Sequence, residues 1–160
     1  MIILGESAAE RCYRSAELAR ANLASVRDCD IALADDASDR ETRARLHVNR
    51  AVIYLSMNRS SNAIRDLKRA QALGHDAPEV HQNYSAAYIQ LKQPSDAIEA
   101  ATRALELGTD HPHRAHFNRG VAYEMLGDFD AAYVEYTTAA ELSPDWPLPH
   151  QQLQRFTVVE

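Results

Sequence analysis

Cys12 and Cys29 are the only two cysteines in the chain, 17 residues apart. Two thiols that face each other across a helix pair can close a disulfide, which needs Cα atoms within roughly 4.4–6.8 Å. The other reading is two buried free thiols, since free cysteine packs as a small hydrophobe. No C-x-x-C spacing is present, so a redox motif is not expected. Four of the seven histidines recur at regular spacing: His47, His81, His116 and His150. A metal ladder would need these imidazoles to converge to about 2.1 Å from one ion. Packed helices stand roughly 8–10 Å apart, so the expected role is packing, with a backbone partner for each ring. The turn His111-Pro112-His113-Arg114-Ala115-His116 is closer to metal spacing, with His113 and His116 on one helix face. A small-ligand or metal carrier built on residues 111–116 is therefore the alternative function. No carboxylate or cysteine is evidently aimed at that turn, so no metal site and no cofactor are expected. There is no phosphate-cradling glycine loop, no G-x-S-x-G and no H-E-x-x-H. The acid pair Asp35-Asp36 lies in a polar linker. No catalytic residue is assigned, and the chain reads as not an enzyme.

The elements that position these groups are set by an internal repeat. His47-Val48-Asn49-Arg50-Ala51-Val52-Ile53-Tyr54 aligns with His81-Gln82-Asn83-Tyr84-Ser85-Ala86-Ala87-Tyr88 and with His116-Phe117-Asn118-Arg119-Gly120-Val121-Ala122-Tyr123. Alanines follow at matching offsets: Ala63, Ala97 and Ala132, then Ala70, Ala104 and Ala139. A period near 34 residues denotes stacked helical hairpins. The helices are expected at 42–57 and 61–73, at 78–91 and 95–107, and at 112–126 and 129–142. Gly127-Asp128 supplies a left-handed stop and a capping carboxylate. Pro94 suits a first turn, Gly74 and Gly108 close second helices, and Pro144 stops the last. Ser60 and Ser61 are candidate N-caps, and Ser38 with Glu41 has capping-box spacing. Small residues Ala51, Ser85 and Gly120 let paired backbones approach, while Tyr54, Tyr88, Tyr123, Leu67, Ala101 and Tyr136 fill the space beside them.

This grammar resembles the tetratricopeptide repeat family. The third unit matches best, through Asn118, Gly120, Tyr123, Gly127, Ala132, Tyr136, Ala139 and Pro144. The first two units depart from it, with His75 and Thr109 for the closing proline and Asn58 and Lys92 for the inter-helix glycine. The resemblance covers residues 44–146 and implies an all-α fold, a right-handed α-α superhelix of hairpins in a single domain. The expected division is a divergent N-terminal hairpin and linker at 1–43, repeats at 44–77, 78–112 and 113–146, and a cap and tail at 147–160.

Ser25 to Leu33 mirrors Ala97 to Leu105, so the N-terminal segment reads as a fourth hairpin with Cys29 at the central packing position. Cys12 then faces it, which favours the disulfide and a periplasmic or secreted, bacterial location; free thiols would mean a cytoplasmic one. Residues 147–155 read as a short helix over the last hairpin, which an array needs to cover its apolar end. The tail from Phe156 through Val159 reads as extended.

First helices line the concave side of such arrays. That places Arg45, Val48, Asn49 and Val52, then Gln82, Asn83 and Ala86, then Arg114, Phe117, Asn118 and Val121 on a partner-binding face. An apolar strip with one asparagine per unit suits a peptide or protein segment, whose backbone asparagine can both donate to and accept from. The competing use of the same strip is packing against the chain's own tail or a second copy, as a self-associating module. The family's carboxylate clamp is not expected, because Val48 and Val52 occupy its lysine and asparagine positions and Glu79 adds negative charge.

Composition bounds the partners. With 17 Lys plus Arg against 23 Asp plus Glu, a net −6, nonspecific nucleic-acid binding is disfavoured. No run approaches the roughly 20 apolar residues of a membrane span. The apolar start Met1-Ile2-Ile3-Leu4 is too short for a signal peptide by itself. The expected state is a monomer or weak homodimer.

Overall fold

The computed structural model describes residues 5–18 and 21–156. The apolar start and the tail expected beyond Phe156 lie outside them. The described residues form nine helices: α1 (Ala8–Glu17), α2 (Leu23–Leu33), α3 (Arg40–Ser56), α4 (Ser60–Ala72), α5 (Pro78–Gln90), α6 (Pro94–Glu106), α7 (Pro112–Leu126), α8 (Phe129–Leu142) and α9 (Pro147–Leu153). They divide into two compact units, residues 1–76 and 77–160. In the first, α1 pairs with α2, α3 with α4, and both N-terminal helices pack on α3. In the second, α5 pairs with α6 and α7 with α8; α7 also packs on α5 and α6, and α9 on α8.

Helix ends show where the local code is simple. Gly127 ends α7 at φ 78°, and Asp128 caps α8 by accepting from the Ala131 amide at 3.1 Å. The same turn stays left-handed where glycine is missing, at Asn58 (φ 57°) and Lys92 (φ 61°). Stacking evidently demands the turn even where the residue resists it. Two expected caps are corrected. Asp39, not Ser38, caps α3, accepting from the Thr42 amide at 2.7 Å. Ser60 is the first residue of α4 and is buried; the N-cap is Arg59, with no side-chain bond. A carboxylate bonds an amide better than a hydroxyl does, and a serine drawn into the core cannot cap. The capping box sits instead at Ser7 and Glu10, opening α1.

The small residues and the second-helix fillers expected beside them are drawn into the core of the three repeats. Ala51, Ser85 and Gly120 are fully buried or nearly so, as are Leu67, Ala101 and Tyr136. A Cβ on Gly120 would lie 2.9 Å from two ring carbons of Tyr136, so the largest filler is matched to the smallest partner. In the middle hairpin Ser85 donates to the Ala97 carbonyl at 2.9 Å, satisfying a buried hydroxyl.

Candidate functional site

In the N-terminal hairpin the corresponding contact is made by the cysteines. Cys12 on α1 and Cys29 on α2 are both fully buried, with Cα atoms 4.8 Å apart and sulfurs at bonding distance, 2.11 Å. They sit in a core with Val26, Ala32, Leu46 and Ile53. The pair therefore stands where the other hairpins place a small residue against its filler.

A polar cluster not anticipated from the sequence recurs in both units. In the first unit, Asp66 on α4 accepts from Arg50 through both oxygens at 2.7 Å and bonds His47 Nδ1 at 3.0 Å. In the second unit, Glu135 on α8 accepts from Arg119 at 2.6 Å and bonds His116 Nδ1 at 2.8 Å. His, Arg and acid hold the same register in both. Each arginine also reaches the preceding hairpin: Arg50 bonds Asp30 on α2, and Arg119 bonds Thr102 on α6. The N-terminal hairpin keeps the ion pair alone, Arg11 with Asp28 at 2.9 Å. The middle hairpin replaces the arginine by Tyr84 and the acid by buried Ala100, and His81 lies 6.2 Å from the Tyr84 ring. The expectation of backbone partners for these histidines is thus corrected at His47 and His116, whose partners are carboxylates. At His150 the Nε2 does lie 2.9 Å from the Pro144 carbonyl oxygen, but the side chain is exposed rather than packed. The signal was available: arginine three residues after the histidine, and an acid nineteen after it.

Electrostatics make the first cluster a structural lock. Burial alone would raise the Asp66 carboxyl, but the Arg50 and His47 hydrogen bonds outweigh it and hold it below the ordinary range. Burial likewise opposes the Arg50 charge, and Asp66 and Asp30 more than restore it. Such paired, oriented charges fix register more than they supply reactivity.

The His-rich turn does not converge. His111 and His113 ring centres are 5.8 Å apart, His113 faces Trp146 at 5.2 Å, and His116 is turned inward to Glu135. Burial, then Arg114 and His111, push the His113 imidazole below its usual range. Among the described residues no group of three or more His, Cys, Asp or Glu is placed to hold a metal.

The residues expected to bind a partner are drawn from both units. In the first, Arg45 is exposed and ion-paired to Glu41, while Asn49 and Val52 are half-buried. Val48 is corrected from lining to core: it is 7% exposed. In the second, α5 offers Gln82, Asn83 and Ala86, all half-buried, beside Asn118 and Val121 of α7, with Arg114 exposed. Gln82 already donates to the His111 carbonyl. Phe117 is corrected too, since its ring packs on Trp146 at 4.9 Å and Tyr136 at 5.5 Å. Both partners lie within the expected third repeat, at α8 and at the residue before α9. Val121 borders a cavity of about 320 Å³ with Glu124, Met125, Tyr136, Gln152 and Arg155. Tyr136 donates to Glu124 at 2.8 Å, and Arg155 pairs with the same carboxylate. The side chains of Asn49, Asn83 and Asn118 make no hydrogen bond to any described residue.

Among the described residues no helix is long and apolar enough to cross a membrane. No curated protein matches the chain. Among solved structures, a crystal structure of MamA is similar at TM-score 0.67 and 20% identity, covering 94% of this chain and 82% of that one. A second, of MamA AMB-1, is similar at TM-score 0.67 and 20% identity over 91% and 76%. At that identity the likeness concerns the fold. Residues 48–112 and 85–147 each match the tetratricopeptide repeat family, and together they span more than half of the chain. With its helices paired at that period and its small residues set against large ones, the chain belongs to the tetratricopeptide repeat family.

Proposed function

We propose that the protein is a non-catalytic scaffold that holds a peptide or protein segment against its first helices. The observation that carries this is the asparagine series. Asn49, Asn83 and Asn118 recur at one register, are half-buried, and spend no side-chain hydrogen bond within the described chain. A half-buried amide without an internal partner offers a donor and an acceptor to an extended backbone. In the second unit Ala86 and Val121 add apolar area beside two of these amides, and the cavity next to Val121 has room for a partner side chain. The buried cysteine pair supports an oxidising location, periplasmic or extracellular.

Site-specific photocrosslinking tests the face. A photoreactive residue at Asn83 or Asn118 is expected to capture a partner in native extract, and one at exposed Asp130 on α8 is not. Equal capture at all three positions would refute the first-helix face. Phe117 is unsuitable as a probe, because its loss would unseat Trp146.

A further inference from the structure

The charge of the chain is unevenly placed. Residues 1–76 carry twelve Lys plus Arg against eleven Asp plus Glu; residues 77–160 carry five against twelve. Within the first unit the imbalance concentrates on one helix. The solvent face of α4 runs Ser61, Arg65, Lys68, Arg69 and Ala72, all exposed and spaced as one stripe. The only acid on α4, Asp66, points inward and is consumed by Arg50 and His47. Arg65, Lys68 and Arg69 form no ion pair with any described residue, nor does Arg59 at the helix start.

One period later the same stripe reads Ser95, Glu99, Thr102, Arg103 and Glu106, so its balance turns from cationic to acidic while Arg103 is kept. On α6 the exposed residues include Asp96, Glu99 and Glu106, and Glu99 stands at the register of Arg65. The one cation there, Arg103, is paired with Glu106 at 3.2 Å. Asp96 and Glu99 have no ion-pair partner among the described residues. Glu99 and Glu106 border a groove of about 510 Å³ with His81, Thr102 and Arg103. Of its two carboxylates Glu106 is paired to Arg103, which leaves Glu99 to meet a cation.

We propose that the cationic face of α4 in one copy docks on the acidic α6 face of another copy, so that the chain self-associates through a heterologous contact. The two faces differ, so each copy has one of each to offer, and association can extend beyond a pair. Nucleic acid is a poor competitor for the α4 stripe, because the whole chain carries −6. An anionic membrane is a poor one too, since no exposed large apolar side chain lies on α4 to enter it. This surface is separate from the first-helix face, and its test does not depend on that reading.

Sedimentation of the full chain across a concentration series decides the matter. Association is expected at an ionic strength of ~0.01 M, where charges act over ~30 Å, and is expected to vanish near ~1 M, where they act over ~3 Å. The triple reversal Arg65→Glu, Lys68→Glu, Arg69→Glu is expected to weaken it at least about tenfold, with helicity unchanged because all three side chains are exposed. The reversal Asp96→Lys with Glu99→Lys is expected to do the same. An equimolar mixture of the two variants is expected to associate again, because each retains the wild-type face that the other lacks. Three results would overturn the proposal: a wild-type monomer throughout at low salt, undiminished association in either variant, or association that survives high salt. Binding of phosphatidylserine vesicles through α4 without self-association would overturn it as well.

Discussion

Gly120 and Tyr136 meet with no room for a Cβ, and substituting them tests whether the repeat is governed by volume. A Cβ added at Gly120 would lie 2.9 Å from Cδ1 and Cε1 of Tyr136 and 3.3 Å from Cβ of Glu135. The ring cannot yield: it is fully buried, its hydroxyl is held by Glu124, and Phe117 and Phe156 flank it. Overpacking of this kind costs about 1–3 kcal/mol, and replacing a mid-helix glycine returns about 1 kcal/mol. Gly120→Ala is therefore expected to lose up to roughly 2 kcal/mol. Tyr136→Leu alone opens a hole and is expected to cost about 2–4 kcal/mol. Together they recreate the Ala51–Leu67 pair that the first unit buries completely. In the Tyr136→Leu background, Gly120→Ala is then expected to stabilise by roughly 0.5–1 kcal/mol, a reversal of sign. Urea unfolding followed by Trp146 fluorescence reads this locally, since Trp146 is the sole tryptophan and packs on Phe117. Equal cost of Gly120→Ala in both backgrounds would show that the contact is not what couples them.

Three further outcomes are expected. Lys92→Gly relieves a left-handed backbone at φ 61° and should raise stability by about 1 kcal/mol in the same urea assay; no gain would mean the turn is not strained. Asp66 has its folded carboxyl held below its unfolded value, so its stabilisation is present above about pH 4 and is lost as pH falls through the lower, folded value. Asp66→Asn should remove that acid dependence and cost about 3–5 kcal/mol near neutrality by leaving Arg50 half-paired; an unchanged acid-unfolding midpoint would refute it. Reduction of the Cys12–Cys29 pair should cost about 3 kcal/mol, the loop-closure value for 17 residues, and should loosen only the first unit. Thiol titration of denatured native-source protein should find none reactive before reduction and two after; two from the outset would refute the bond.

Much of the molecule is legible in one dimension because its contacts are local. The helix pairs, the left-handed stops and the facing of Cys12 and Cys29 depend on residues less than one repeat apart. The period therefore carries them directly. The exceptions are instructive. Ser60 has the chemistry of a cap but is drawn into the core, so burial overrides local propensity. Val48 lies on the same helix as Asn49, yet one is core and the other half-exposed. That difference depends on where α3 meets its neighbours, which a pattern of apolar residues does not specify. The His–Arg–acid clusters were present as spacings of three and nineteen. They became visible only when the hairpin closed and brought the acid of the second helix beneath the first.

Sequence alone therefore determined the period, the hairpins, the small-against-large packing and the family, because steric fit between adjacent helices is written in residue size at fixed offsets. Tertiary structure decided which strip residues are used in internal packing and which keep their polar groups unspent. It assigned Phe117 to Trp146, His47 and His116 to carboxylates, and left Asn49, Asn83 and Asn118 unspent. Those assignments depend on the angle and depth at which whole helices meet, and only the folded chain sets those.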